Sequence, residues 1–149
     1  MERYTIRKID NLTQVNLRTL IEESQKEGFR FLKRLVHEYE NGSNIFDKPG
    51  EALYGVFDER GRIIAIGGIN KDPYSTEDDI GRLRRFYVAK ELRRNGIGRM
   101  LVQRIMYHSS IFKVIVLKTD TEQADTFYKS LGFRKKTLYS KSTHYLELG

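Results

Sequence analysis

The chain has 149 residues and a formal charge of +7, with 39% hydrophobic residues, 32% charged residues and no cysteine. That length matches one ordinary domain, 1–149, with a core of its own. The lack of cysteine excludes disulfides, thiol redox chemistry and an acyl-cysteine intermediate. No apolar run approaches the roughly 20 residues that span a bilayer, and Met1-Glu2-Arg3-Tyr4 lacks the apolar segment of a secretory signal. A cytoplasmic protein with no membrane partner is expected. His37, His108 and His144 lie far apart without metal-ligand spacing, so no metal is expected.

Taken in chain order, Tyr4-Thr5-Ile6-Arg7-Lys8-Ile9 alternates and predicts a first strand. Asp10 or Asn11 is placed to cap a helix carrying Leu12, Val15, Leu20 and Ile21. After the break at Gly28, Phe31, Leu32, Leu35, Val36 and Tyr39 form the stripe of a second helix. Residues 41–50, with Asn41-Gly42 and Pro49-Gly50, read as a loop. Ala52 to Phe57, the turn Asp58-Glu59-Arg60-Gly61, and Arg62 to Ile69 read as a hairpin. Lys71 to Asp79 is a polar connection, and Leu83 to Val88 is the next strand. A helix follows from Gly96 to about Ser109, then a buried strand over Lys113 to Leu117. Asp120 or Thr121 caps a last helix with Ala124, Phe127, Tyr128 and Leu131 on one side, and Gly132 stops it. The tail 133–148 predicts a closing hairpin. Strand, helix and strand between Leu83 and Leu117 require a parallel pair inside a mostly antiparallel sheet.

The loop before the third helix, Arg93-Arg94-Asn95-Gly96-Ile97-Gly98-Arg99, has the chemistry of an anion site. Helix N-termini leave backbone N–H groups unpaired, and the helix dipole favours negative charge there. Gly96 and Gly98 permit positive φ and close backbone approach, and the arginines add charge-assisted donors. A dinucleotide fingerprint would need a third glycine or alanine where Leu101 stands. A nucleotide-triphosphate loop would need Gly-Lys-Ser/Thr, and Gly98 is followed by Arg99-Met100. Neither fits, and a phosphorylated cofactor of another kind is expected.

The stretch from Phe86-Tyr87-Val88 to Arg93-Arg94-Asn95-Gly96-Ile97-Gly98 resembles the acetyl-CoA loop of the GNAT acetyltransferase superfamily, Arg/Gln-x-x-Gly-x-Gly/Ala after a strand ending in Tyr-Val. Ala124-Asp125-Thr126-Phe127-Tyr128-Lys129-Ser130-Leu131-Gly132-Phe133 is similar to the Ala-x-x-Phe-Tyr-x-x-x-Gly-Phe segment of the same enzymes. The resemblance implies an α/β fold of the GNAT type. Its sheet has six or seven strands, mostly antiparallel with a central parallel pair, and four flanking helices. It implies acetyl-CoA as cosubstrate and no metal, with an amine acceptor, small molecule or protein. A homodimer stays among the open assemblies. In the family the two parallel strands splay apart and the pantetheine arm lies in the gap. Main-chain groups of Phe86, Tyr87 and Val88 would pair with that arm, and a main-chain N–H, that of Val88 foremost, would polarise the thioester carbonyl. Residues Arg93 to Arg99 would hold the phosphates, and Thr121 would contact the arm where the family often has asparagine.

Acetyl transfer also needs a proton for the leaving thiolate and removal of one from the acceptor. Tyr128 is the expected general acid. Many family members place a glutamate base six residues before the strand valine; here that residue is Arg82, a cation that cannot serve. Glu77, Asp78 and Asp79 are the upstream acids, and His108 lies on the cofactor helix. Two other readings remain: a CoA-binding protein without catalysis, favoured by Arg82, and a nucleic-acid module built on Arg82, Arg84, Arg85, Arg93 and Arg94 beside Phe86 and Tyr87. Strict strand alternation places Arg84 with Phe86 on one face and Arg85 with Tyr87 on the other. That dilutes a stacking platform, and no nucleic-acid partner is expected.

Overall fold

The computed structural model describes residues 3–148; Met1 and Glu2, the start of the segment read above for a signal, lie outside the described residues. Seven strands form one sheet in the order β1-β2-β3-β4-β5-β7-β6. They are β1 (Thr5–Lys8), β2 (Ala52–Phe57), β3 (Ile63–Lys71), β4 (Ile80–Val88), β5 (Val114–Leu117), β6 (Arg134–Lys135) and β7 (His144–Glu147). Every neighbouring pair is antiparallel except β4 and β5, which are parallel. Four α-helices accompany them: α1 (Arg18–Lys26), α2 (Phe31–Glu40), α3 (Ile97–His108) and α4 (Glu122–Ser130).

The expected first helix is divided in two. Leu12–Gln14 is a single 3-10 turn capped by the Asn11 side chain, and Val15 is extended at φ −110°. A second local stop, Asn16 accepting from the Arg18 N–H, then starts α1. Two competing Asx caps and a β-branched residue between them interrupt the helix, which periodicity alone does not register.

The sheet separates two layers. Ile97, Leu101, Val102 and Ile105 of α3 are buried on one face. On the other face α1 buries Leu20, and α2 buries Leu32 and Leu35. β2 and most of β3 are buried throughout, as expected of central strands covered on both sides.

The parallel pairing is confined to Ile80–Val114, Gly81–Ile115 and Arg82–Val116. It falls just ahead of the stretch Leu83–Val88 in which the sequence predicts the strand. From Leu83 onward β4 has no partner on that edge, so the two strands part and leave a gap. A β-bulge marks the divergence. Gly68 pairs with Arg84 and Ile66 with Tyr87, so Arg85 and Phe86 together oppose Gly67. Arg85 sits at φ +57°. Bulges bend a strand and increase its twist, which turns the end of β4 away from β5.

Candidate functional site

The bulge changes which side chains share a face. Arg84 pairs with Gly68, whose Cβ direction points at Phe46 under α2, so Arg84 faces that layer. Arg85 bonds Glu38 of α2 at 2.9 Å. Tyr87 meets Phe31 with tilted rings 6.3 Å apart, and its hydroxyl lies between the carboxylates of Glu23 and Glu27 of α1. Phe86 faces the α3 layer, where its ring lies against a Cβ built on Gly67. The alternation expected from sequence is thereby corrected: one inserted residue puts Arg84, Arg85 and Tyr87 together and leaves Phe86 alone on the other side.

At the end of β4 the Ala89 N–H donates to the Ile64 carbonyl at 2.8 Å. In an antiparallel ladder successive residues address opposite edges, so the N–H and C=O of Val88 face the gap. The Val88 carbonyl takes the Arg93 Nε–H at 3.0 Å. Its N–H is directed to the same edge.

The loop that follows is an open cradle. Arg94 and Gly96 adopt left-handed conformations at φ +68° and +79°. Gly96 takes that conformation without strain; Arg94 does so under strain of about 1–2 kcal/mol. The first helical bond runs from the Met100 N–H to the Gly96 carbonyl. The N–H groups from Arg94 through Arg99 meet no acceptor among the described residues. Arg94, Asn95, Gly96 and Arg99 are exposed, whereas Ile97 is buried and pins the helix start in the core. Behind Gly98, a Cβ would stand 3.2 Å from the Phe127 ring and 3.5 Å from that of Phe86, so a side chain there would crowd the aromatic rings.

The arginines divide. Arg93 grips Glu27 with two hydrogen bonds of 3.0 and 2.6 Å, and its guanidinium also lies over the Tyr87 ring. That pairing holds the Glu27 carboxyl below its usual range and raises the Arg93 pKa. The side chain ties the loop to α1, and only its backbone borders the cradle. Arg99 donates to the Ser130 hydroxyl of α4 at 3.0 Å. Arg94 has no hydrogen bond or ion pair among the described residues.

Thr121 is the N-cap of α4, its hydroxyl oxygen accepting from the Ala124 N–H at 3.1 Å. The helix ends in a Schellman motif: the Phe133 N–H reaches the Tyr128 carbonyl and the Gly132 N–H reaches the Lys129 carbonyl, with Gly132 at φ +99°. This is the physical content of the Phe-Tyr-x-x-x-Gly-Phe pattern. It fixes Tyr128 in the last turn and packs Phe133 on its ring at 5.6 Å. Phe127, Phe86 and His144 also surround that ring, at 5.0, 6.2 and 6.3 Å. The Tyr128 hydroxyl makes no hydrogen bond among the described residues. The residue as a whole is buried, 7% exposed. Burial of the residue raises its pKa, and the hydroxyl stays protonated at working pH.

Arg82 is fully engaged. It pairs with buried Asp72 at 2.8 Å and donates to the Lys141 and Ser140 carbonyls at 2.8 and 2.9 Å. The acidic trio stays away from the gap: Asp78 pairs with Lys71 on the surface, Glu77 is exposed, and about 13 Å of strand separates Asp79 from Leu83. His108 lies against the Tyr54 hydroxyl at 3.3 Å. An open cleft of about 760 Å³ between β1, α1 and the start of β3 includes neither residues 94–99 nor Tyr128.

Sequence reasoning missed Glu23 and Glu27, although their i,i+4 spacing on α1 marks a common stripe. It also missed the pair of buried His144 with part-exposed Asp125 at 2.7 Å beside Tyr128, for which no local pattern exists.

A profile of the acetyltransferase (GNAT) domain matches residues 49–135. No protein of curated function matches the sequence. Among solved structures, a candidate acetyltransferase from Exiguobacterium sp. 255-15 is 32% identical, with a TM-score of 0.86 over 97% of this chain and 93% of that one. A GNAT-family acetyltransferase from Staphylococcus aureus Mu50 is 20% identical, with a TM-score of 0.74 over 99% and 100% of the two chains. Glucosamine-6-phosphate N-acetyltransferase from Arabidopsis thaliana is 19% identical, with a TM-score of 0.62 over 91% and 95%.

Proposed function

This chain belongs to the GNAT acetyltransferase family, and on that premise we propose that it is an acetyl-CoA-dependent N-acetyltransferase acting by direct transfer to a primary amine. The observation that carries this reading is the continuity of three features along one edge. The free N–H groups from Arg94 to Arg99 lie at one end, the gap-facing Val88 N–H follows, and the Tyr128 hydroxyl stands beside Phe86. The residues fit the cosubstrate: unpaired donors at a helix start suit a pyrophosphate, and an unpaired strand edge suits the amide-bearing pantetheine arm. Arg94 and Arg99 add charge at that end. Arg93 acts through its backbone, and Ile97 through its N–H while its side chain anchors the helix. Thr121 keeps its hydroxyl proton free to donate to the arm.

When bound, acetyl-CoA supplies an activated acyl thioester. The Val88 N–H then polarises its carbonyl, and Tyr128 donates its proton toward the departing sulfur. Arg82 stands where the family often has its glutamate base, so the acceptor's proton leaves by another route. A CoA-binding role without turnover is the second reading, and the full engagement of Arg82 in structural bonds is what favours it.

Two measurements test the proposal. Acetyl-CoA should raise the melting temperature, as any ligand selective for the folded state does, and free CoA thiol should appear when a panel of primary amines is added. Absence of stabilisation overturns both readings. Stabilisation without turnover across the panel leaves the non-catalytic one.

A further inference from the structure

Three arginines of β4 face the α2 layer, and they are not equivalent. Arg82 has its donors placed on Asp72, Ser140 and Lys141. Arg85 gives one hydrogen bond to Glu38, yet its side chain is only 9% exposed and its Nε–H is enclosed without an acceptor. Arg84 makes no hydrogen bond or ion pair among the described residues, and burial together with the adjacent Arg85 charge lowers its pKa. Lys141 brings a further cation to this side, its ammonium 4.6 Å from the Tyr74 ring. The facing carboxylates, Glu38 and Asp72, are already committed to Arg85 and Arg82. The cluster therefore carries unbalanced positive charge and a buried donor pointing at nothing. Buried polar groups are ordinarily paired, and left-handed backbone is ordinarily avoided by arginine. Both exceptions fall on Arg85, where the gap opens.

We propose that the acetyl acceptor is a small amine that also bears an oxyanion, carboxylate or phosphate, held by the unpaired guanidinium of Arg84 beside the Arg85–Glu38 pair. The inference rests on the acetyl-transfer reading. Arg84 and Arg85 lie just past the last β4–β5 pair, on the face opposite Phe86. A guanidinium fork matches the planar geometry of carboxylate and the edge of phosphate. Nearby positive charge also favours the neutral form of a bound amine. The cations that hold the oxyanion thus help the ammonium shed its proton where Arg82 replaces a carboxylate base. Polyamines, which would bring more positive charge, are disfavoured by the same field.

The test follows arginine Nε–H resonances while CoA-saturated protein, its cradle filled, is titrated with inorganic phosphate. Saturable shifts are expected at Arg84 and Arg85, with at least a tenfold weaker response at Arg85 in Arg84→Gln and no change in the surface control Arg60→Gln. A second arm compares kcat/KM for an amino acid against its methyl ester, and for an aminoalkyl phosphate against the amino alcohol. A tenfold or larger preference for the anionic member of one pair, lost in Arg84→Gln, identifies which oxyanion is recognised. Absence of shifts at both arginines, or equal kcat/KM within both pairs, overturns the proposal. Phosphate held by Arg84 in a protein that fails to bind CoA overturns acetyl transfer and leaves the anion site standing.

Discussion

Tyr128→Phe separates chemistry from packing because the ring and the hydroxyl have different surroundings. The ring is enclosed by Phe86, Phe127, Phe133 and His144, and phenylalanine keeps all of those contacts. The hydroxyl has no partner within the described residues, so its removal breaks no hydrogen bond and lifts part of a desolvation penalty. The expected change in stability is under about 1 kcal/mol, neutral or favourable. Turnover should nevertheless fall about 10²–10⁴-fold, the scale of a lost general acid, which is roughly 2.7–5.5 kcal/mol of barrier. Acetyl-CoA affinity should hold, since the cradle lies on another element. The assay is release of free CoA thiol at saturating acetyl-CoA with a confirmed acceptor, run beside a thermal melt. The pH profile adds a sign check. Burial raises the Tyr128 pKa, so the phenol remains protonated and contributes no alkaline loss of activity below about pH 10. Wild-type turnover in Tyr128→Phe, or an alkaline limb that disappears in that variant, would refute the assignment.

Gly98→Asp should abolish CoA binding by calorimetry, because its side chain meets Phe127 and sets an anion in the cradle; Gly98→Ala, with a Cβ 3.2 Å from that ring, should bind more weakly while folding normally. Arg94→Ala should weaken CoA by about 1.5–3 kcal/mol, roughly ten- to a hundredfold, without moving the melting temperature. Arg93→Gln should do the reverse: on the order of 1 kcal/mol of stability is lost as the partly screened pair with Glu27 breaks, and CoA affinity changes little. Glu27 has a folded pKa below its unfolded one, so its contribution is present above the ordinary glutamate value and fades as pH falls through the folded value. The stability difference between wild type and Glu27→Gln should therefore shrink below about pH 4.3 in acid melts.

Much of this protein is written locally. The strand-loop-helix run through Gly96, the Thr121 cap and the Gly132 stop each depend on φ preference or capping within a few residues, and the structure has all three where the sequence predicts them. The parallel pair was legible because a strand-helix-strand unit leaves almost no other topology. Pairing across long separations was not legible. Whether Arg93 meets a phosphate or Glu27 depends on a contact 66 residues away, and the engagement of Arg82 depends on carbonyls 58 and 59 residues on. The faces of β4 turned on a bulge at Arg85, a residue with no local reason to adopt positive φ. Only the register against β3 imposes that conformation, and with it the gap, the Val88 N–H that faces it, and the arginines gathered under α2.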